Sequence, residues 1–159
     1  MSARLEKVSR VLLICYVDSK IGVGHLSRLL ALASELKKFN KVTVEFMIFG
    51  SLIKKAELSH YKVYCLGSNE DFVKEIKNME ERNHFDAMVF DLYPMCNKKE
   101  FLELFHHLKL QSVILISIDS LIEYHEALDI IWIPSFNFES KKYNNKIKSG
   151  WNSLLLQKR

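Results

Sequence analysis

Val11-Leu12-Leu13-Ile14-Cys15-Tyr16-Val17 runs into Asp18-Ser19-Lys20-Ile21-Gly22-Val23-Gly24-His25, and a helical pattern follows from Leu26 to Lys38. The uninterrupted apolar run predicts a strand buried on both faces. A Gly-x-Gly turn between strand and helix lets backbone N–H groups approach a ligand closely, and the helix start adds partial positive charge. His25 stands where turn becomes helix, which places a titratable imidazole beside an anion-binding geometry.

The same alternation continues along the chain. Strands are predicted at Val42–Phe49, Val63–Leu66, Ala87–Phe90, Val113–Ile118 and Ile130–Ile133. Helices are predicted at Leu26–Phe39, Ser51–Tyr61 with Ser51 as cap, Asn69–Asn83 and Asn97–Leu110. Apolar strands separated by amphipathic helices give a doubly wound, mostly parallel, Rossmann-like α/β sheet of about six strands. Residues 1–136 form that domain. Residues 137–159 lose periodicity and are expected to be a basic linker and a short junction helix carrying Trp151 and Leu154-Leu155-Leu156.

The chain has 159 residues, 48% hydrophobic and 26% charged, enough for one domain with a true core. Its net charge of +4 comes from the tail, where Lys141, Lys142, Lys146, Lys148, Lys158 and Arg159 face only Glu139. A basic tail on a nearly neutral body is a weak signal for nucleic acid, and a solvated linker or a surface that meets another domain is expected instead, with no nucleic acid as partner. No apolar run reaches the length of a membrane span and no signal-peptide core is present, so a cytoplasmic location is expected. Cys15 and Cys65 fall in strands and are expected to be reduced core residues, and Cys96 falls in a loop. No Cys/His spacing suits zinc.

Open parallel sheets bind ligands at the carboxyl ends of their strands. Asp18 and Ser19 follow the first strand, Asp91 and Tyr93 the fourth, and Asp119 the fifth. These positions should converge on one rim with Gly22, Val23, Gly24, His25 and Arg28. A rim carboxylate can orient His25 for acid/base work. Arg28 shares its helix face and suits either a phosphate or an acid partner. Each element also has a purely structural reading: a tight turn for the glycines, a cap for His25, strand-end turns for the aspartates. Ser27 stands where the third glycine of a dinucleotide fingerprint belongs, no acid ends the second strand, and no Gly-Lys-Ser/Thr is present, so NAD and ATP are disfavoured.

Ile21-Gly22-Val23-Gly24-His25-Leu26-Ser27-Arg28, followed by Leu29-Leu30-Ala31-Leu32-Ala33, resembles the amino-terminal signature of the GT-B superfamily. It is most similar to the UDP-linked diacetamido-trideoxy-altropyranose hydrolases of pseudaminic acid biosynthesis. Phe85-Asp86-Ala87-Met88-Val89-Phe90-Asp91-Leu92-Tyr93, Ile116-Ser117-Ile118-Asp119-Ser120-Leu121 and Gly150-Trp151-Asn152-Ser153-Leu154-Leu155-Leu156 resemble further family segments. Ser120 stands where the family carries a second Asp. The resemblance implies the amino-terminal half of a nucleotide-sugar hydrolase in surface-polysaccharide biosynthesis. His25 would be the catalytic acid/base that helps water cleave the anomeric C1–O bond of a UDP-sugar. Asp18, Ser19, Gly22, Val23, Gly24, Arg28, Asp91, Tyr93 and Asp119 would hold the substrate, with no cofactor and no metal. It also implies a carboxy-terminal GT-B domain, in the same gene or as a separate chain, without which this half is inactive. Two alternatives stand beside it: the acceptor-binding domain of a GT-B glycosyltransferase, and a non-catalytic partner subunit.

Overall fold

The computed structural model describes residues 7–18, 24–50, 56–67, 70–93, 97–134 and 146–149. Strands β1 (Ser9–Val17), β2 (Val42–Gly50), β3 (Lys62–Leu66), β4 (Ala87–Asp91), β5 (Ile114–Ile118), β6 (Ile130–Ile133) and β7 (Ile147–Ser149) form one sheet. Its order is β3-β2-β1-β4-β5-β6-β7, and every neighbouring pair is parallel. Helices α1 (Gly24–Leu36), α2 (Phe72–Asn83) and α3 (Lys98–Leu110) cover it. The fold is therefore the doubly wound, Rossmann-like arrangement that the apolar runs predict.

The central strands bury alternate residues in two different cores. Leu12 and Ile14 of β1 join Met47, Phe49, Phe90 and the inner faces of α2 and α3. Val11, Leu13, Cys15 and Val17 join Phe46, Ile48 and the apolar stripe Leu26, Leu29, Leu30 and Ala33 of α1. Burial on both faces is why the strands lack polar alternation. Rings dominate the first core: Phe72, Phe101, Phe105 and Tyr124 contact one another with centroids 5.2 to 5.8 Å apart.

Helix starts follow local chemistry. Asp71 caps α2 by accepting from the Lys74 N–H at 3.0 Å. Asn97 and Glu100 form a reciprocal capping box at α3. At the amino-terminal edge of the sheet, buried Glu45 accepts from Arg10 Nε at 3.1 Å and from the Tyr64 hydroxyl at 2.8 Å, which ties β1, β2 and β3 together.

Four features differ from the sequence-based expectations. The helix expected over Ser51–Tyr61 is a single 3-10 stretch, Ala56–His60, and residues 51–55 lie outside the described residues. The first helix stops at Leu36 rather than Phe39; the Lys38 and Phe39 N–H groups bond three residues back and turn the chain toward β2. Cys65 is exposed on the edge strand β3, where the sheet has no further neighbour. A seventh strand, β7, lies in the polar stretch expected to be linker. Ile147 enters the core while Lys146 caps the carbonyls of His125, Glu126 and Leu128 at 3.0 to 3.3 Å. The remainder of the expected linker and junction helix, with Trp151 and Leu154–Leu156, lies outside the described residues, as does the loop residue Cys96. Among the described residues no helix is long and apolar enough to cross a membrane.

The strand order fixes where a ligand can enter. The chain moves from β1 outward to β2 and β3, then crosses back to β4 on the other side of β1. Helix α1 packs on one face and α2 and α3 on the other. The crevice of such a sheet opens between the carboxyl ends of the two strands where the direction reverses, here β1 and β4.

Candidate functional site

That crevice holds a pocket of about 400 Å³ lined by Gly24, His25, Arg28, Tyr93, Ile118, Asp119 and Ser120. Three elements build it: the first turn of α1, the end of β4, and the turn after β5. Among the described residues, no atom lies within 4 Å of where a Cβ at Gly24 would stand.

Asp91 is the centre. It is fully buried at the last position of β4, beside Cys15 of β1 in the parallel register. A buried carboxylate needs partners for both oxygens. His25 Nδ1 lies 2.5 Å from Oδ1. Arg28 grips the same carboxylate with Nε at 2.9 Å from Oδ2 and Nη2 at 2.7 Å from Oδ1. Arg28 Nη1 then reaches Asp119 Oδ2 at 2.8 Å. The spacing of three along α1 puts His25 and Arg28 on one face, which is what lets both reach Asp91.

Arg28 Nη2 also lies 3.0 Å from His25 Nδ1. One nitrogen cannot donate to a carboxylate and accept from a guanidinium through the same position. An ionised carboxylate only accepts, so the short contact assigns the Nδ1 proton to the bond with Asp91. Arg28 Nη2 stands beside the ring without donating to it. In the neutral ring Nε2 then carries the lone pair.

Burial pulls the Arg28 guanidinium down, but the hydrogen bond and charge of Asp91, and then those of Asp119, more than reverse this and hold it above the ordinary arginine value. Burial, with the Asp91 charge adding, pushes the Cys15 thiol well up, so it is an inert core group. Asp119 has left-handed backbone (φ 59°), a conformation aspartate tolerates, and its N–H donates to the Trp132 carbonyl at 2.8 Å. Tyr93 is 58% exposed and packs edge-on against the His25 ring, with centroids 5.3 Å apart.

The structure thus brings together Gly24, His25, Arg28, Asp91, Tyr93 and Asp119 from the expected rim. Asp18 follows β1, partly buried, and is not among the pocket-lining residues. Ser19, Gly22 and Val23 lie outside the described residues. Ile118 and Ser120 complete the wall; the Ser120 hydroxyl is turned back onto the Ile118 carbonyl at 3.2 Å. The choice between phosphate and acid as Arg28's partner is resolved here for two of its edges, both on carboxylates. Among the described residues no group of three or more His, Cys, Asp or Glu is placed to hold a metal ion.

No family model matches the chain. Over 74 residues it is 36% identical to the uncharacterized protein MJ1062 of Methanocaldococcus jannaschii, a match covering 45% of this chain and 14% of that protein. Its fold matches the apo form of the lipopolysaccharide outer core galactosyltransferase WaaB with a TM-score of 0.50 at 14% sequence identity. That match covers 77% of this chain and 38% of WaaB, a GT-B glycosyltransferase. The chain therefore spans well under half the length of either protein, and the likeness to WaaB is one of fold.

Proposed function

We propose that this chain is the acceptor-side half of a GT-B enzyme that transfers a sugar from a UDP-sugar, with His25 as general base. The observation that carries the reading is the buried His25–Asp91 pair opening onto a pocket at the sheet's reversal point. An imidazole held by Nδ1 on a carboxylate offers Nε2 to a hydroxyl, as general-base catalysis requires. The acceptor O–H adds its oxygen to the anomeric carbon and gives its proton to Nε2. The C1–O bond to the diphosphate breaks, and its electron pair leaves with UDP.

Charge supports the acceptor side over the nucleotide side. Among the described pocket residues the only fixed cation is Arg28, and it is shared between Asp91 and Asp119. Such a wall suits a hydroxyl-rich sugar better than a diphosphate. The nucleotide would be held by a second GT-B domain, in the same polypeptide or a separate one, and this half alone would turn over negligibly. The fold likeness to a galactosyltransferase favours transfer. Water in the acceptor's place would make the same machinery a nucleotide-sugar hydrolase, the activity implied by the resemblance of the Gly22–Arg28 segment.

The test is UDP release by the complete two-domain enzyme from UDP-galactose and UDP-N-acetylglucosamine, with and without added sugar acceptors. Release that requires an acceptor supports transfer, and release without one assigns water as the nucleophile. In either case His25→Ala should lower the rate about a thousandfold. Undiminished release in His25→Ala removes the imidazole from the mechanism and sinks the reading.

A further inference from the structure

We propose that Arg28 is a positioning residue that keeps His25 neutral by occupying Asp91, so that the ring's Nε2 stays open as a base. The inference rests on the proposed role of His25 and adds the device that makes it workable.

A carboxylate buried as completely as Asp91 demands a positive partner. If His25 were its sole partner, the pair would favour the imidazolium, and a protonated ring cannot accept a proton. Arg28 supplies that charge instead. Its fork covers both Asp91 oxygens at 2.7 and 2.9 Å, a geometry that an imidazole cannot match. It also sits 3.0 Å from Nδ1, so a second positive charge on the ring would meet a like charge in contact. Asp119 holds the far edge of the guanidinium from the turn after β5 and fixes its plane on Asp91. The described charged and titratable groups that line the pocket or touch Asp91 come from several elements. Asp91 comes from β4, Arg28 from α1, Tyr93 from the segment after β4 and Asp119 from the turn after β5, with Cys15 of β1 beside Asp91. Two of Arg28's three nitrogens carry bonds to Asp91 and the third bonds Asp119, which leaves a poor phosphate clamp and a good electrostatic partner.

The test follows the His25 ring resonances of the 159-residue chain by NMR as pH is varied, with His25→Ala used to assign them among the six histidines. In Arg28→Met the titration midpoint should move to higher pH by about one unit, because Asp91 then draws its charge from the imidazole. In Arg28→Lys, a milder change should the first variant not fold, the rise should be smaller. The ammonium restores charge without the fork. In the complete enzyme the acidic limb of the kcat/KM profile should move the same way, with Arg28→Lys recovering part of the loss. A midpoint that stays put or falls in both variants overturns the proposal. So does a raised KM for the UDP-sugar with an unmoved midpoint, which would make Arg28 a substrate contact. The titration reads Arg28 without turnover, so its failure is distinct from a failure of His25→Ala to affect catalysis.

Discussion

Asp91 takes three hydrogen bonds at a fully buried position. Asp91→Asn keeps the shape but strips the charge that Arg28 faces, and its amide nitrogen cannot accept. The chain should lose about 3 kcal/mol of stability, measured by urea unfolding at pH 7. His25→Ala should cost only about 1 kcal/mol in the same assay, one hydrogen bond at a partly open pocket wall. A larger loss for His25→Ala than for Asp91→Asn would mean that the imidazole, and not the carboxylate, organises the site. The sequence made the participants legible through the Gly-x-Gly-His turn and the acids closing successive strands. It did not show which acid pairs with the imidazole. Asp18 and Asp91 carry the same strand-end signature, and only Asp91 lies where β4 meets the first turn of α1. Nor could spacing alone decide between phosphate and carboxylate for Arg28, since the same fork suits both.

Among the elements, the last residue of β2 has no room for a side chain against β1. Gly50 has φ +98°, and a Cβ there would sit 2.3 Å from the Val17 carbonyl oxygen. Gly50→Ala should therefore cost about 2 kcal/mol or more, read as a lower urea midpoint with unchanged m-value. The α3 capping box gives a smaller effect: Asn97→Ala should cost about 1 kcal/mol. Long periodic elements such as β1, α1 and α3 were readable because many residues repeat one signal. The edge strand β7 was not, because three residues give too short a period to register against Lys, Asn and Ser on either side. Its place is set by tertiary pairing with β6, together with the Lys146 ammonium on three carbonyls. The Ala56–His60 stretch was misjudged for a related reason, since helical composition over a few residues does not distinguish α from 3-10 winding.

For the whole molecule, acid response should come from the sheet edge opposite the pocket. Burial raises the Glu45 carboxyl, but the bonds from Arg10 and Tyr64 and the charges of Arg10 and Lys62 outweigh it and hold it below its ordinary value of 4.5. The folded state therefore binds this proton less readily than the unfolded chain. The stabilisation is fully present above about pH 4.5 and drains as pH falls through the lower folded value. Glu45→Gln should thus lie below the parent in urea-unfolding stability at pH 7, and the gap should narrow steadily as pH falls below 4.5. A gap that is constant with pH would show that the carboxylate's charge contributes nothing. The pocket's defining bonds join residues 63, 66 and 91 positions apart, through Asp91 and Asp119. During synthesis the imidazole leaves the ribosome long before either carboxylate. A fragment cut short of Asp119 carries His25 without the clamp that completes its surroundings. Assembly of the His25–Asp91–Arg28–Asp119 cluster is in this way tied to finishing the sheet, and truncated products lack it.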